Sequence, residues 1–253
     1  MQSTQQRTWR AGRFWWDWPQ PSEAAARPLK HLSAVIFDLD ALADIECSGH
    51  RAAFNAAFAE VGLNIEWTVA RYRQLLALRD ERRRVAAELR KRGVSSECDV
   101  LAELLVDEIC AAKAMILDET ILDADIVARM GLVELITEAF GAGIAIGIVS
   151  SGRRTWVEPL VRQLVGEGVV SVIVTADDVP HASAYQVALA ELGASARDSL
   201  AFAGSPASQR KATAAGLPTV LIDGDDTFGA PLRVSDCQRV HDTWRDAPKP
   251  SAA

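Results

Sequence analysis

Two aspartates one residue apart, Asp38 and Asp40, close the run Ser33-Ala34-Val35-Ile36-Phe37-Asp38-Leu39-Asp40. A short apolar run rich in β-branched and aromatic residues reads as a buried strand. Alternate side chains of a strand share a face, so the spacing predicts that both carboxylates project together from its C-terminal end. In open α/β sheets that end is where ligands bind. Two carboxylates held together repel each other and lose solvation, so such a pair calls for a cation or a reaction that uses it. The plain alternative is a strand that runs into an acidic turn.

The elements that must hold this pair follow from the pattern downstream. Apolar runs at Ile144–Val149, Val169–Val174, Leu200–Ala203 and Pro218–Ile222 read as strands, each separated from the next by a helical stretch. Such alternation implies parallel βαβ units. The fold class expected is α/β: a Rossmann-like, doubly wound parallel sheet core with an inserted α-helical cap domain. The strand ends then bring Ser150, Ser151 and Gly152, Asp177 and Asp178, and Gly204 and Ser205 to the edge that carries Asp38 and Asp40. Between the first strand and the second lies an all-helical stretch with apolar residues at helical spacing, over Cys47–Val61, Trp67–Arg92 and Cys98–Met115. The charged run Arg79-Asp80-Glu81-Arg82-Arg83-Arg84 is expected to be a solvated face of one uninterrupted helix. A further helix is expected over Ile126–Phe140. The domain division expected is an arm over 1–30, a core over 31–46 and 121–240, a cap over 47–120 and a flexible tail over 241–253.

Bulk properties narrow the function classes. A chain of 253 residues, 49% hydrophobic and 24% charged, is ordinary globular composition. A net charge of −7 argues against nucleic acid as a partner. No stretch is long and apolar enough for a transmembrane segment, and the N-terminus shows no apolar signal core. Cys47, Cys98, Cys110 and Cys237 are scattered without a C-x-x-C pair, which points to a reducing, cytoplasmic setting rather than a zinc site or disulfide framework. The first 30 residues differ from the rest: Trp9, Trp15, Trp16 and Trp18 alternate with Arg7, Arg10 and Arg13, and Pro19, Pro21 and Pro28 break any long helix. Such an arm can pack on its own domain, on a protein partner or at a membrane interface.

From Phe37 through Phe58, the chain resembles the haloacid dehalogenase superfamily, and within it the CbbY branch of sugar-phosphate phosphatases. The segment His50-Arg51-Ala52-Ala53-Phe54-Asn55 carries the likeness, supported by Gly62-Leu63, Glu66-Trp67 and Ala215-Gly216-Leu217-Pro218-Thr219-Val220. The resemblance implies Asp38 as a nucleophile that forms an aspartyl phosphate and Asp40 as the acid and base. It implies that Ser150, Ser151 and Gly152 hold phosphoryl oxygens, and that Glu46, His50 and Arg51 read a phosphorylated small molecule from the cap. It also implies a Mg²⁺ ion held by the Asp38 side chain, the Asp40 carbonyl and an acid from the fourth strand end.

Several positions depart from that pattern. Ala41 stands where the family writes Gly-Thr, with one residue fewer. The third motif, normally Lys-Pro-x-Pro, is shortened to Asp177-Asp178-Val179-Pro180 followed by His181 and holds no Lys. The fourth, normally Glu-Asp-Ser, is Ala203-Gly204-Ser205. The cap's Gly-Gly-Lys is replaced by the Arg79–Arg84 run. Asp177, Asp178 and Asp223 are the acids nearest in sequence to the strand ends, and none is expected to replace the lost ligand. Each change removes positive charge, metal ligation or backbone tightness, and phosphoryl transfer rests on positioning and electrostatics. A lost electrostatic partner of this kind typically costs about 2.7–4 kcal/mol of transition-state stabilisation. The expectation is a pseudoenzyme that binds a protein partner or a phosphorylated metabolite. The alternative is a Mg²⁺-dependent phosphohydrolase that uses Asp38, with no cofactor in the former case.

Overall fold

The computed structural model describes residues 7–10, 14–17, 32–78, 80–94, 98–179, 183–222 and 233–246. Most of the arm, and His181 and Asp223, fall outside them. Within the arm, β1 (Arg7–Arg10) and β2 (Phe14–Asp17) pair as an antiparallel ribbon. The chain divides into two compact units, Asp44–Ile126 and the remainder. The helical unit takes in Asp44–Glu46 and 121–126, beyond the 47–120 expected from the sequence.

The larger unit is a five-stranded parallel sheet. Its strands are β3 (Ala34–Asp38), β4 (Ala145–Val149), β5 (Val172–Val174), β6 (Ser199–Ala203) and β7 (Thr219–Leu221), in the order β5-β4-β3-β6-β7. The order reverses at β3, which lies at the centre with parallel neighbours on both sides. All five residues of β3 and of β6 are buried, the near-continuous apolar pattern of a sheet covered on both faces. Phe37 and Phe202, paired in register, stack at 4.8 Å. The α/β class and the parallel, Rossmann-like sheet are as the strand–helix alternation implied.

Helices α6 (Leu132–Gly141), α7 (Arg154–Val165), α8 (Ala184–Glu191), α9 (Pro206–Ala214) and α10 (Val234–Asp246) belong to the same unit, numbered after those of the cap described below. The helix expected from Ile126 begins only at Leu132. The residues before it lie outside any helix, with Ala128 bridging to Ala43, and Gly131 takes a left-handed conformation (φ 84°) at the helix entry. The tail expected to be flexible from residue 241 is instead the last part of α10. His241 is fully buried there, and its Nε2 donates to the Arg197 carbonyl at 2.7 Å. Residues 247–253 fall outside the described set.

β3 does not continue through Asp40 as the period-two reading required. It stops at Asp38, and Leu39–Leu42 wind one helical turn, α1, with the Ala43 N–H donating to the Leu39 carbonyl at 3.0 Å. Leu39, Ala41 and Leu42 are good helix formers, and all three are buried.

The smaller unit starts with a five-residue π-helical turn, Glu46–His50, which runs into α2 (Arg51–Glu60). Then follow α3 (Val69–Leu75), α4 (Glu81–Arg92) and α5 (Asp99–Thr120). Its core is aromatic: the Trp67 ring lies 4.8 Å from that of Phe54 and 4.9 Å from that of Phe58, with Tyr72, Val85, Leu89 and Ile109 buried around them. The single helix expected over Trp67–Arg92 is two. Asp80 takes extended backbone and caps α4, its side chain accepting from the Arg83 N–H at 2.9 Å. The charged run therefore starts a helix instead of lying along one. Among the described residues no helix is long and apolar enough to cross a membrane.

Candidate functional site

Register places three strand tips side by side in the sheet unit. Asp38 pairs with Val149, so Ser150 follows at the adjacent tip, and Phe37 pairs with Phe202, so Ala203 and Gly204 follow at the other. Asp38 is 7% exposed. Its Oδ2 accepts from the Gly204 N–H at 3.3 Å, and it also takes hydrogen bonds from the Ser208 hydroxyl and the Asp40 N–H. Burial pushes the carboxyl above its ordinary value, and these donors, together with the charge of Lys211, oppose the rise without cancelling it. Ser208, on α9, shares a 2.7 Å hydrogen bond with the buried Tyr185 hydroxyl. Burial raises the Tyr185 phenol as well, and the charges of Asp38 and Asp40 add to that. Sequence reasoning missed Ser208 and Tyr185; neither type is distinctive, and only the fold brings α8 and α9 to the tip of β3.

Asp40 sits in α1, half-buried, and its backbone carbonyl accepts from Arg129 Nη2 at 3.3 Å. The feature that decides what this site can hold is the approach of Gly204. A Cβ built there would stand 2.3 Å from the Asp40 carbonyl carbon, 2.4 Å from the Ala41 nitrogen and 2.6 Å from the Asp40 oxygen. Real Cβ contacts do not fall below 3.0 Å. The peptide joining Asp40 to Ala41 thus fills the space in which a side chain from the fourth strand end would begin.

The second strand end keeps its small polar loop. Ser150 Oγ accepts from the Gly152 N–H at 3.1 Å, the Ser150 N–H donates to the Val174 carbonyl at 2.9 Å, and Ser151 is exposed. The Trp156 ring closes on Gly152 so tightly that a Cβ there would lie 2.1 Å from it. At the third strand end both acids serve their own loop. Asp177 accepts from the Arg154 N–H at 2.8 Å and so caps α7; Asp178 accepts from Thr175 N–H and hydroxyl and from the Arg154 guanidinium at 2.6 Å.

Glu46, His50 and Arg51 lie in the helical unit. Glu46 accepts from the Tyr72 hydroxyl at 2.7 Å. Arg51 donates to the Cys47 and Trp67 carbonyls, both at 3.1 Å, so its guanidinium ties the turn Glu46–His50 to the segment that follows α2. His50 Nδ1 lies 2.7 Å from Lys113 Nζ, which also donates to Glu81 at 2.5 Å and stands 5.1 Å over the Phe54 ring. Burial alone would raise the Glu81 carboxyl; the hydrogen bond to His50 and the Lys113 ammonium outweigh it and hold the group at about 2. Lys113, 3% exposed, was missed from sequence. Its signal was there: it falls on the stripe Val106, Ile109, Lys113, Leu117 at helical spacing, a cation on an apolar face.

A Mg²⁺ site of the kind the resemblance implied needs several hard oxygen ligands. Among the described residues no group of three or more His, Cys, Asp or Glu side chains is arranged to hold a metal ion. The position for a second carboxylate is closed by backbone at Gly204, and Asp177 and Asp178 are engaged elsewhere. These residues do not fit the ion.

Residues 32–207 match the haloacid dehalogenase-like hydrolases. The chain is 31% identical over 215 residues to the plasmid-borne protein CbbY of Cupriavidus necator, covering 80% of this chain and 84% of that one. It is 32% identical over 218 residues to protein CbbY of Rhodobacter capsulatus, covering 81% and 93%. Among solved structures, CbbY from Rhodobacter sphaeroides in complex with phosphate superposes with a TM-score of 0.59 at 27% identity, over 81% of this chain and 94% of that one. A mutant of the same protein in complex with xylulose-(1,5)bisphosphate gives 0.60 over the same shares at 27% identity.

Proposed function

This chain belongs to the haloacid dehalogenase-like hydrolase family and is CbbY-like within it, and we propose that it binds a phosphorylated metabolite of the sugar-phosphate class without hydrolysing it. The observation that carries this reading is the Asp40–Ala41 peptide filling the side-chain position of residue 204. It closes the position from which a ligand would complete a Mg²⁺ site, and Asp38 is buried and hydrogen-bonded to its own scaffold. A nucleophilic carboxylate has to be ionised to attack phosphorus, whereas burial drives Asp38 toward its neutral form. Support for the ligand class comes from the Ser150-Ser151-Gly152 loop ahead of α7, and from the CbbY relative that holds phosphate and xylulose-(1,5)bisphosphate.

The test is a pair of measurements on the full-length protein. With p-nitrophenyl phosphate or a sugar bisphosphate and Mg²⁺, phosphate release is expected to match that of Asp38→Asn. In calorimetry, the sugar bisphosphate is expected to bind, and Ser150→Ala together with Ser151→Ala to weaken it. The second reading, an active phosphohydrolase, is favoured by the retention of both aspartates and by the Lys211 charge acting on Asp38. Turnover that Asp38→Asn abolishes would establish that reading and reject ours.

A further inference from the structure

The helical unit contains a groove that neither the family chemistry nor the strand tips use. It lies between α4 and α5 and encloses about 320 Å³. Its floor is apolar, formed chiefly by Leu89, Val94, Leu105 and Val106, and its rim carries Arg82, Arg83 and Arg90 against the single acid Glu103. Leu89 and Val106 reach the aromatic core beneath, so the floor is a fixed surface. The first turns of α5 also turn Val100, Leu101 and Leu104 outward, at 65%, 49% and 58% exposure.

Charge decides the occupant. The whole chain is acidic, at −7, and the α5 wall carries Asp99, Glu103, Asp107 and Glu108, yet the groove's lining sets Arg82, Arg83 and Arg90 from α4 against Glu103. Some of the α4 cations serve the unit itself: Arg92 pairs with the buried Glu88, Arg82 with Asp107 and Arg83 with Asp80. Among the described residues, Arg90, at the groove's rim, donates only to a carbonyl of its own helix, that of Ala86 at 3.2 Å. A basic rim over an apolar floor matches an amphipathic helix whose apolar face is flanked by Asp and Glu. We propose that the α4/α5 groove is a docking site for an acidic amphipathic helix of a partner protein. Two or three aliphatic side chains of that helix seat on Leu89, Leu105 and Val106, and its flanking carboxylates meet Arg83 and Arg90.

The proposal is tested on the full-length protein by fluorescence anisotropy. The probe is a labelled helical peptide of about 16 residues, spanning ~24 Å, with Leu at i, i+3, i+4 and i+7 spacing and Glu beside them. The control peptide carries Lys in place of Glu. The acidic peptide is expected to bind and the basic one to bind at least about tenfold more weakly, with the difference shrinking as salt is raised. Arg83→Glu with Arg90→Glu, both exposed positions, is expected to cost about tenfold in affinity. Leu105→Glu is expected to abolish binding. If Leu105→Glu alters the far-ultraviolet dichroism, the arginine pair decides the matter. Equal binding of both peptides, or full binding by the arginine variant, overturns the proposal. So does groove-dependent binding of phosphatidylglycerol vesicles without peptide binding, or self-association that Leu105→Glu removes without peptide binding. None of these outcomes depends on whether Asp38 turns over a phosphate ester.

Discussion

Restoring an acid at residue 204 is the change that the family pattern suggests and that the geometry forbids. The nearest atoms to a Cβ at Gly204 are backbone atoms of Asp40 and Ala41, at 2.3–2.6 Å. Ordinary contact begins near 3.4 Å, so α1 or the tip of β6 would have to retreat by 3.4 − 2.3 = 1.1 Å. Both sides are held. Leu39, Ala41 and Leu42 are buried, and every residue of β6 is buried. Overpacking a full core typically costs 1–3 kcal/mol, and backbone cannot swing away like a side chain, so we take about 3 kcal/mol for Gly204→Ala. For a chain of this size, ~2–4 °C per kcal/mol makes that a fall in Tm of about 6–12 °C. Gly204→Asp carries the same Cβ and adds a carboxylate to a buried tip that already holds Asp38, so it is expected to fall further. Thermal unfolding by circular dichroism, with and without MgCl₂, measures both. If Gly204→Asp unfolds at the parent temperature and Mg²⁺ then raises its Tm, the peptide does not block the site and the reasoning fails.

Asp38→Asn is expected to raise Tm at pH 7. A carboxyl raised above its ordinary 3.8 contributes fully below that pH and loses its contribution as pH rises through the ordinary range toward the folded value, so at neutral pH the buried charge is a standing cost. An unchanged or lower Tm at pH 7 would count against a buried, strained Asp38. Glu81, held at about 2, behaves oppositely: its contribution is present above the ordinary 4.5 and disappears as pH falls toward 2, so Glu81→Gln should narrow the gap to the parent in acid melts. Lys113→Met removes the cation between His50 and Glu81. Breaking a buried pair costs about 3–5 kcal/mol, reduced here to about 1–3 because Glu81 is 37% exposed, and chemical denaturation reads the difference. Ser208→Ala should lower Tm modestly while leaving Tyr185 buried, which ultraviolet titration of the phenol can follow.

The sheet was legible in the sequence because its central strands, β3 and β6, are buried along their whole length, and all five strands appear as apolar runs between helical stretches. Their order could not be read there; it follows from β3 pairing with both β4 and β6. The joints were read less well. The break at Asp80 was hidden because a charged run looks the same along a helix as at its start, and only the cap from Asp80 to the Arg83 N–H separates the two. The late start of α6 was hidden because Ile126–Gly131 continue an apolar rhythm while their backbone is tied to the chain after β3, where the Arg129 N–H donates to the Leu42 carbonyl at 2.8 Å. α10 was missed because its polar composition masked His241 and Cys237, whose burial comes from tertiary packing. At the site, the missing carboxylate of the fourth strand end was visible as Gly204. That its place had been taken by another part of the chain was not, because a void and a filled space have the same sequence.

The turn after Asp40, one residue shorter than the family pattern, and the glycine at 204 touch and have to be considered together. The chain after β3 coils into α1, and the Asp40–Ala41 peptide inside that turn stands against the tip of β6. Once it is there, any side chain at 204 collides with it, and glycine becomes obligatory for a steric reason. The two positions touch, so their effects are expected to be strongly non-additive. A side chain at 204 alone breaks packing against the turn. The barrier to regaining a metal site is therefore set by contact between two segments far apart in sequence, over and above the absence of a ligand. A chain in this state keeps its fold while Asp38 stays hydrogen-bonded to its own scaffold.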